Sequence, residues 1–322
     1  NSRTTKKVLS NGLTVIFEKN TNAKIVSLYL GVKVGSADET NAEAGLCHLI
    51  EHMLFKGTKS YATGDIASLV ESHGGELNAY TSMDQTVYYI NLPAQHLALG
   101  LKLLKEMGFE ATIDPVELER EKEVILEEIR RGKDHPQNVL GEALFNKCYN
   151  AHPYGRPIIG FALTVKSFSR EKISQFYKHH YCPANMILGV CGHVDQTRTF
   201  AHIKKIFGAL PAKRAPRFVM EIPAFHKKAL LTTLSMNIAA TYFDLAFPIP
   251  RLTHVDVPAL DVLSHLLGES ETSLLEQITK EKEQLVHSIS CSAYTPKQPG
   301  LFVIGGLVDP HKMNAALKSI LR

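Results

Sequence analysis

The 322-residue chain has no run approaching 18 apolar residues. Its longest uncharged stretch, residues 85–101, is interrupted by Asn91, Pro93, Gln95 and His96, so no segment reads as a membrane-spanning helix. CxxC spacing is absent. The five cysteines (Cys47, Cys148, Cys182, Cys191 and Cys291) are scattered and odd in number, and read as small buried apolar residues rather than a disulfide framework or a cysteine-held metal. No GxGxxG or GKT/GKS loop occurs, which leaves nucleotide dependence without support. Basic residues form no block and the net charge is only +4, so there is no nucleic-acid footprint. What is present, 44% hydrophobic and 21% charged residues, is ordinary for a folded globular chain.

Strand and helix signals alternate along the chain. Asn11-Gly12 is a hairpin turn signal between short apolar runs. Residues 25–34 read as a strand, 42–55 as a helix stopped by Gly57, and 65–72 as a helix ended by Gly74-Gly75. Residues 76–82 and 85–92 read as paired strands. Helices follow over 94–109, 115–131 (capped by Asp114) and 137–149. A helix over 169–179, a strand over 185–190 and a helix over 197–207 lead to a linker at 210–217. The pattern then restarts, with strands over 229–234, 239–247, 285–292 and 301–307 and helices over 258–267 and from 313. The mixture lacks strict βαβ alternation. It predicts an α+β fold, helices covering mostly antiparallel sheets, in two domains, 1–212 and 218–322.

The sharpest feature is His48-Leu49-Ile50-Glu51-His52. At about 100° per helical residue, all three polar side chains fall within roughly 100° of arc. Two imidazoles at i and i+4 can share a tetrahedral metal, and the carboxylate between them leans toward the same ion. This is the HxxEH arrangement, the reverse of HExxH. A helix with two histidines on a polar face would carry the same letters. A third ligand is needed, and the helix over 115–131 offers Glu121 and Glu128, two turns apart on one face. By itself that helix also reads as a charged, solvated surface.

HLIEHMLFKGT, then GGELNAYTSMDQTVYY, then EREKEVILEEI resembles the M16 family of pitrilysin, insulinase and mitochondrial processing peptidase. HPYGRPIIG (152–160) and YCPANMILGVCGHVD (181–195) add two further landmarks. Glu128 lies 76 residues beyond His52, the family's spacing to its third ligand, and Glu121 falls one heptad earlier. The resemblance implies one Zn²⁺ held by His48, His52 and Glu128, with water at the open position. Glu51 would take the proton of that water and deliver it to the leaving amine, and Glu121 would hold a ligand histidine or the helix geometry. It also implies that the strand after Gly75, with Asn78, Ala79 and Tyr80, pairs with an extended peptide substrate.

One departure stands out. Where many family members carry an Arg and a Tyr seven residues apart, this chain has Lys280 and His287. Lysine keeps the charge but not the guanidinium fork. Two readings follow: Lys280 and His287 bind substrate in a weakened form of that role, or, as the clamshell arrangement that the resemblance implies favours, a second half or partner subunit supplies the pair across the chamber. The first domain reads as whole at about 210 residues and the second as cut short at about 105. The expected function is a zinc metalloendopeptidase acting on unfolded or short peptides, from the bacterial periplasm or cytoplasm. The alternatives are a non-catalytic structural or substrate-holding subunit and a zinc hydrolase of another substrate class.

Overall fold

The structure, a computed structural model, describes residues 4–215 and 219–322. Contacts sort them into two compact units, one drawn from Asn1–Ile129 and Pro157–Val219, the other from Arg130–Arg156 and Met220–Arg322. Residues 130–156 thus cluster with the second unit, although they precede the linker read at 210–217. Of that linker, 211–215 carry no helix or strand, and 216 and 217 lie outside the described residues.

In chain order come β1 (Thr4–Val8), β2 (Thr14–Lys19), β3 (Ile25–Val32), α1 (Leu46–Met53), α2 (Asp65–Ser72), β4 (Glu76–Thr81), β5 (Thr86–Pro93) and α3 (Leu97–Glu110). Next are α4 (Pro115–Asp134), α5 (Pro136–Tyr149), α6 (Ala162–Ser167), α7 (Arg170–His180), β6 (Met186–Gly192) and α8 (Gln196–Phe207). The first unit's sheet runs β1-β2-β6-β3-β5-β4. Only β2 and β6 are parallel; the other neighbours are antiparallel. Period-two alternation builds it. Val26, Leu28, Leu30 and Val32 of β3 and Met186, Leu188 and Val190 of β6 join Leu101, Leu104 and Met107 of α3 in one core. Each such side chain withdrawn from water contributes about 1.5–3 kcal/mol. On the opposite face Tyr29 stacks on Tyr89. β4 ends the sheet, paired on one side with β5 and on the other with no strand among the described residues.

The second unit contains α5 and then β7 (Thr241–Ile249), α9 (Val257–Gly268), a π-helical segment (Glu276–Lys282), β8 (Val286–Tyr294), β9 (Gly300–Val308) and α10 (Met313–Ile320). Its sheet, β7-β9-β8, is wholly antiparallel. Phe243, Ile249, Val286, Ile289, Phe302 and Ile304 form its core. Both units are therefore α+β.

Three local expectations need correction. Residues 229–234 form no strand: Leu230, Leu231 and Leu234 are exposed and lack a ladder partner among the described residues. The helix expected over 42–55 begins only at Leu46, because Gly45 takes φ +97°, a left-handed conformation that interrupts the helical path. Helix α6 carries no strong sequence signal and was not expected.

Candidate metal centre

Helix α1 is only eight residues long, and Gly45 at its N-cap offers no side chain. The cap comes from Glu39, which is 3% exposed; its carboxylate accepts the Gly45 N–H at 3.0 Å and the Cys47 N–H at 2.7 Å. A carboxylate here satisfies amides that the helix leaves unpaired and favours the positive end of its dipole. Thr164 Oγ1 donates to the Ala44 carbonyl at 2.6 Å. Leu46, Cys47, Leu49, Ile50 and Met53 are buried, which leaves His48, Glu51 and His52 as the polar side of the helix.

Helix α4 begins with Asp114 Oδ1 accepting the Val116 and Glu117 amides, at 2.8 and 3.1 Å. Leu118, Ile125 and Leu126 are buried. Val124 is exposed. Glu121 and Glu128 both meet the histidines of α1.

The Nε2 atoms of His48 and His52 lie 3.9 and 3.8 Å from Glu128 Oε2. One ligand atom from each of the three residues falls within 4.8 Å of the others, and no other such trio occurs among the described residues. Ligands about 2.0–2.1 Å from a tetrahedral zinc sit on the order of 3.3 Å apart, so the trio accommodates the ion after a small contraction. The donor set, two imidazoles and one carboxylate, suits zinc. His52 is further fixed from behind. Its Nδ1 is 3.0 Å from Glu121 Oε2, and Lys56 Nζ is 2.8 Å from the other oxygen of that carboxylate. A proton on Nδ1 shared with Glu121 leaves the Nε2 lone pair for a metal. His48 Nδ1 is buried, with no hydrogen-bond partner among the described residues.

The electrostatics follow from burial and neighbours. Burial, with His52 alongside, pushes His48 down to about 4 and keeps it neutral. Burial would also lower His52, but Glu121, Glu128 and Glu51 outweigh it and hold it above the usual histidine range. Burial raises Glu51 above the ordinary carboxylate value, against the opposing hydrogen bond from Thr81 Oγ1, 2.5 Å from Glu51 Oε2. Burial works the same way on Glu121, but there the bonds to His52 and Lys56 win and the carboxyl is lowered.

The remaining expected residues divide between the units. Asn78, Ala79 and Tyr80 lie on β4, opposite Tyr89, Tyr88 and Val87 of β5. The Ala79 N–H donates to Asn78 Oδ1 at 2.8 Å, and Tyr80 is exposed. Lys280 and His287 belong to the second unit. There Lys280 pairs with Glu276, and His287 Nε2 lies 2.9 Å from Asp309 Oδ1. Three residues of the centre escaped the sequence reading: Glu39, Lys56 and Thr81. Lys56 lies four residues beyond His52 in sequence, just past the end of α1 at Met53, a closeness that could have found it. Glu39 and Thr81 carry no local spacing signal.

Residues 14–161 match the family model described as insulinase (peptidase family M16), and 167–322 the model described as peptidase M16 inactive domain. The chain belongs to peptidase family M16. An uncharacterized zinc protease of Bacillus subtilis, YmxG, is 30% identical over 310 residues, covering 96% of this chain and 75% of its own. A protease from Helicobacter pylori superposes with a TM-score of 0.89 at 27% identity, over 99% of this chain and 78% of that one. A Pseudomonas fluorescens structure titled as a peptidase M16 inactive domain shares the fold, with a TM-score of 0.92 at 21% identity over 99% and 77% of the two chains. No helix among the described residues is long and apolar enough to cross a membrane.

Proposed function

We propose that the chain is the zinc-bearing part of a metalloendopeptidase that hydrolyses unfolded or short peptides. The observation that carries this reading is the convergence of His48, His52 and Glu128 beside Glu51. His48, His52 and Glu128 would hold one Zn²⁺, which when bound supplies a Lewis acid for the scissile carbonyl and lowers the pKa of water. Glu121 and Lys56 keep His52 in the tautomer that ligation needs. Glu51, raised by burial, takes a proton from water and returns it to the leaving amine; a carboxylate with an elevated pKa suits both directions. Asn78, Ala79 and Tyr80 present the open edge of β4 to an extended peptide, whose main chain would add as a further strand.

Lys280 and His287 take the places of the family's Arg and Tyr. With each already paired inside its own unit, the missing guanidinium and phenol are assigned to a second M16 half or a partner subunit. The domain limits 1–212 and 218–322 belong to the same proposal. A non-catalytic role would leave zinc or turnover absent. The test is zinc stoichiometry together with hydrolysis of a quenched peptide, with and without an added M16 partner, for the wild type and Glu51→Gln. One equivalent of zinc in both proteins, with turnover in the wild type alone, is expected. Turnover by Glu51→Gln sinks the assignment.

A further inference from the structure

Thr81 closes the strand that the proposed function gives to the substrate, and its hydroxyl donates to Glu51 Oε2 at 2.5 Å. Among the described residues it is the one side chain that donates to Glu51. The distance lies in the short range of charge-assisted O–H···O⁻ bonds. Neither partner is free to wander. The turn after Thr81 is closed by Ser82 N–H to the Gln85 carbonyl at 2.8 Å. It is also gripped by the loop before α1, where the Ser36 and Ala37 amides donate to the Ser82 and Met83 carbonyls at 3.1 and 2.9 Å. The approach is so close that a Cβ on Gly35 would sit 2.5 Å from both carbonyl oxygens. Four residues beyond Gly35, the same loop places Glu39 against the N-terminus of α1, the helix of Glu51. One loop therefore fixes both the end of β4 and the start of α1.

We propose that Thr81 is a positioning residue that aims the Glu51 carboxylate and sets it at a constant offset from a peptide laid along β4. The proposal rests on the peptidase reading above. It requires the hydroxyl, not the bulk, of residue 81. Thr81→Val keeps the shape and β-branching of the strand and removes the donor; Thr81→Ser keeps the donor.

The experiment compares wild type, Thr81→Val, Thr81→Ser and Glu51→Gln for zinc content, for kcat and KM on a quenched peptide, and for crystal structure. Thr81→Val is expected to retain zinc and KM within about twofold, to lose kcat by roughly ten- to a hundredfold as a general base loses its alignment, and to show the Glu51 carboxylate turned from its wild-type position. Thr81→Ser is expected to recover most of kcat and the wild-type Glu51 orientation. Thr81→Val with Glu51 unmoved in the crystal overturns the proposal even if no turnover is measurable, as does a serine variant as displaced as the valine one. Loss of zinc from Thr81→Val also overturns it, because the role is then structural. Turnover by Glu51→Gln identifies a different failure, that of the peptidase reading itself.

Discussion

Glu121 reaches His52 with Oε2 at 3.0 Å from Nδ1, on the side of the ring away from Glu128. Its second oxygen is occupied by Lys56 at 2.8 Å. The carboxylate thus acts on the candidate metal centre through a histidine. Glu121→Gln should keep the fold and weaken zinc binding by roughly 10–100-fold, the usual cost of losing such support. Competition against a chromogenic chelator measures it; unchanged affinity would show that His52 needs no fixing from behind.

Removing the metal should uncouple α1 from α4. Excess chelator is expected to abolish peptide hydrolysis and to lower the unfolding midpoint, and added Zn²⁺ to restore both. Free zinc at a hundredfold over its dissociation constant corresponds to about 2.7 kcal/mol of linkage stabilisation. A midpoint indifferent to chelator would mean that the ion is not held by the folded trio.

Glu39 is the buried cap of the helix that carries His48, Glu51 and His52. Glu39→Gln replaces one accepting oxygen by a donor facing backbone amides. It should cost about 1.5–3 kcal/mol, the range for hydrogen bonds to a charged group, read from urea unfolding of the metal-free protein. A loss below about 0.5 kcal/mol would show that α1 holds its own start.

Acid should weaken the fold partly through His180. Burial, with His179 next to it, depresses its pKa from 6.5 to about 4. A depressed folded value means that the unfolded chain takes up the proton first. The contribution is intact above about pH 6.5 and is lost as pH falls from there through about 4. His180→Gln should therefore show a shallower decline than wild type across that window, by at most about 1.4 kcal/mol per pH unit. Urea unfolding at several pH values compares the slopes. Parallel slopes would mean that His180 titrates normally in the folded protein.

Sequence periodicity locates most of the scaffold because burial is written in it. Alternating Val26, Leu28, Leu30 and Val32 leave β3 little choice, and Asp114 announces α4 two residues before its first accepted amide. The five residues of the HxxEH stretch are legible for the same reason: a helix of fixed pitch converts spacing into a shared face. Long-range placement is another matter. Glu39 caps α1 from the far side of a single 3-10 turn (Asn41–Glu43), and Thr81 meets Glu51 from 30 residues away; no repeat period records either contact. Residues 229–234 failed in the opposite direction. Their apolar letters suit a strand, but a strand exists only where a neighbour completes its ladder.

Strand β4 shows Glu76, Asn78 and Tyr80 to solvent and turns Leu77, Ala79 and Thr81 toward the body of the unit. Because successive side chains alternate, a slip of a single residue against β5 would exchange these two sets. Tyr80 would then stand where Thr81 meets Glu51, and the hydroxyl would face water. The turn of Ser82–Gln85 is therefore a phase setting for the chemistry as well as a connection. Insertion of one residue there changes which side chain the carboxylate sees while leaving most of the buried core untouched.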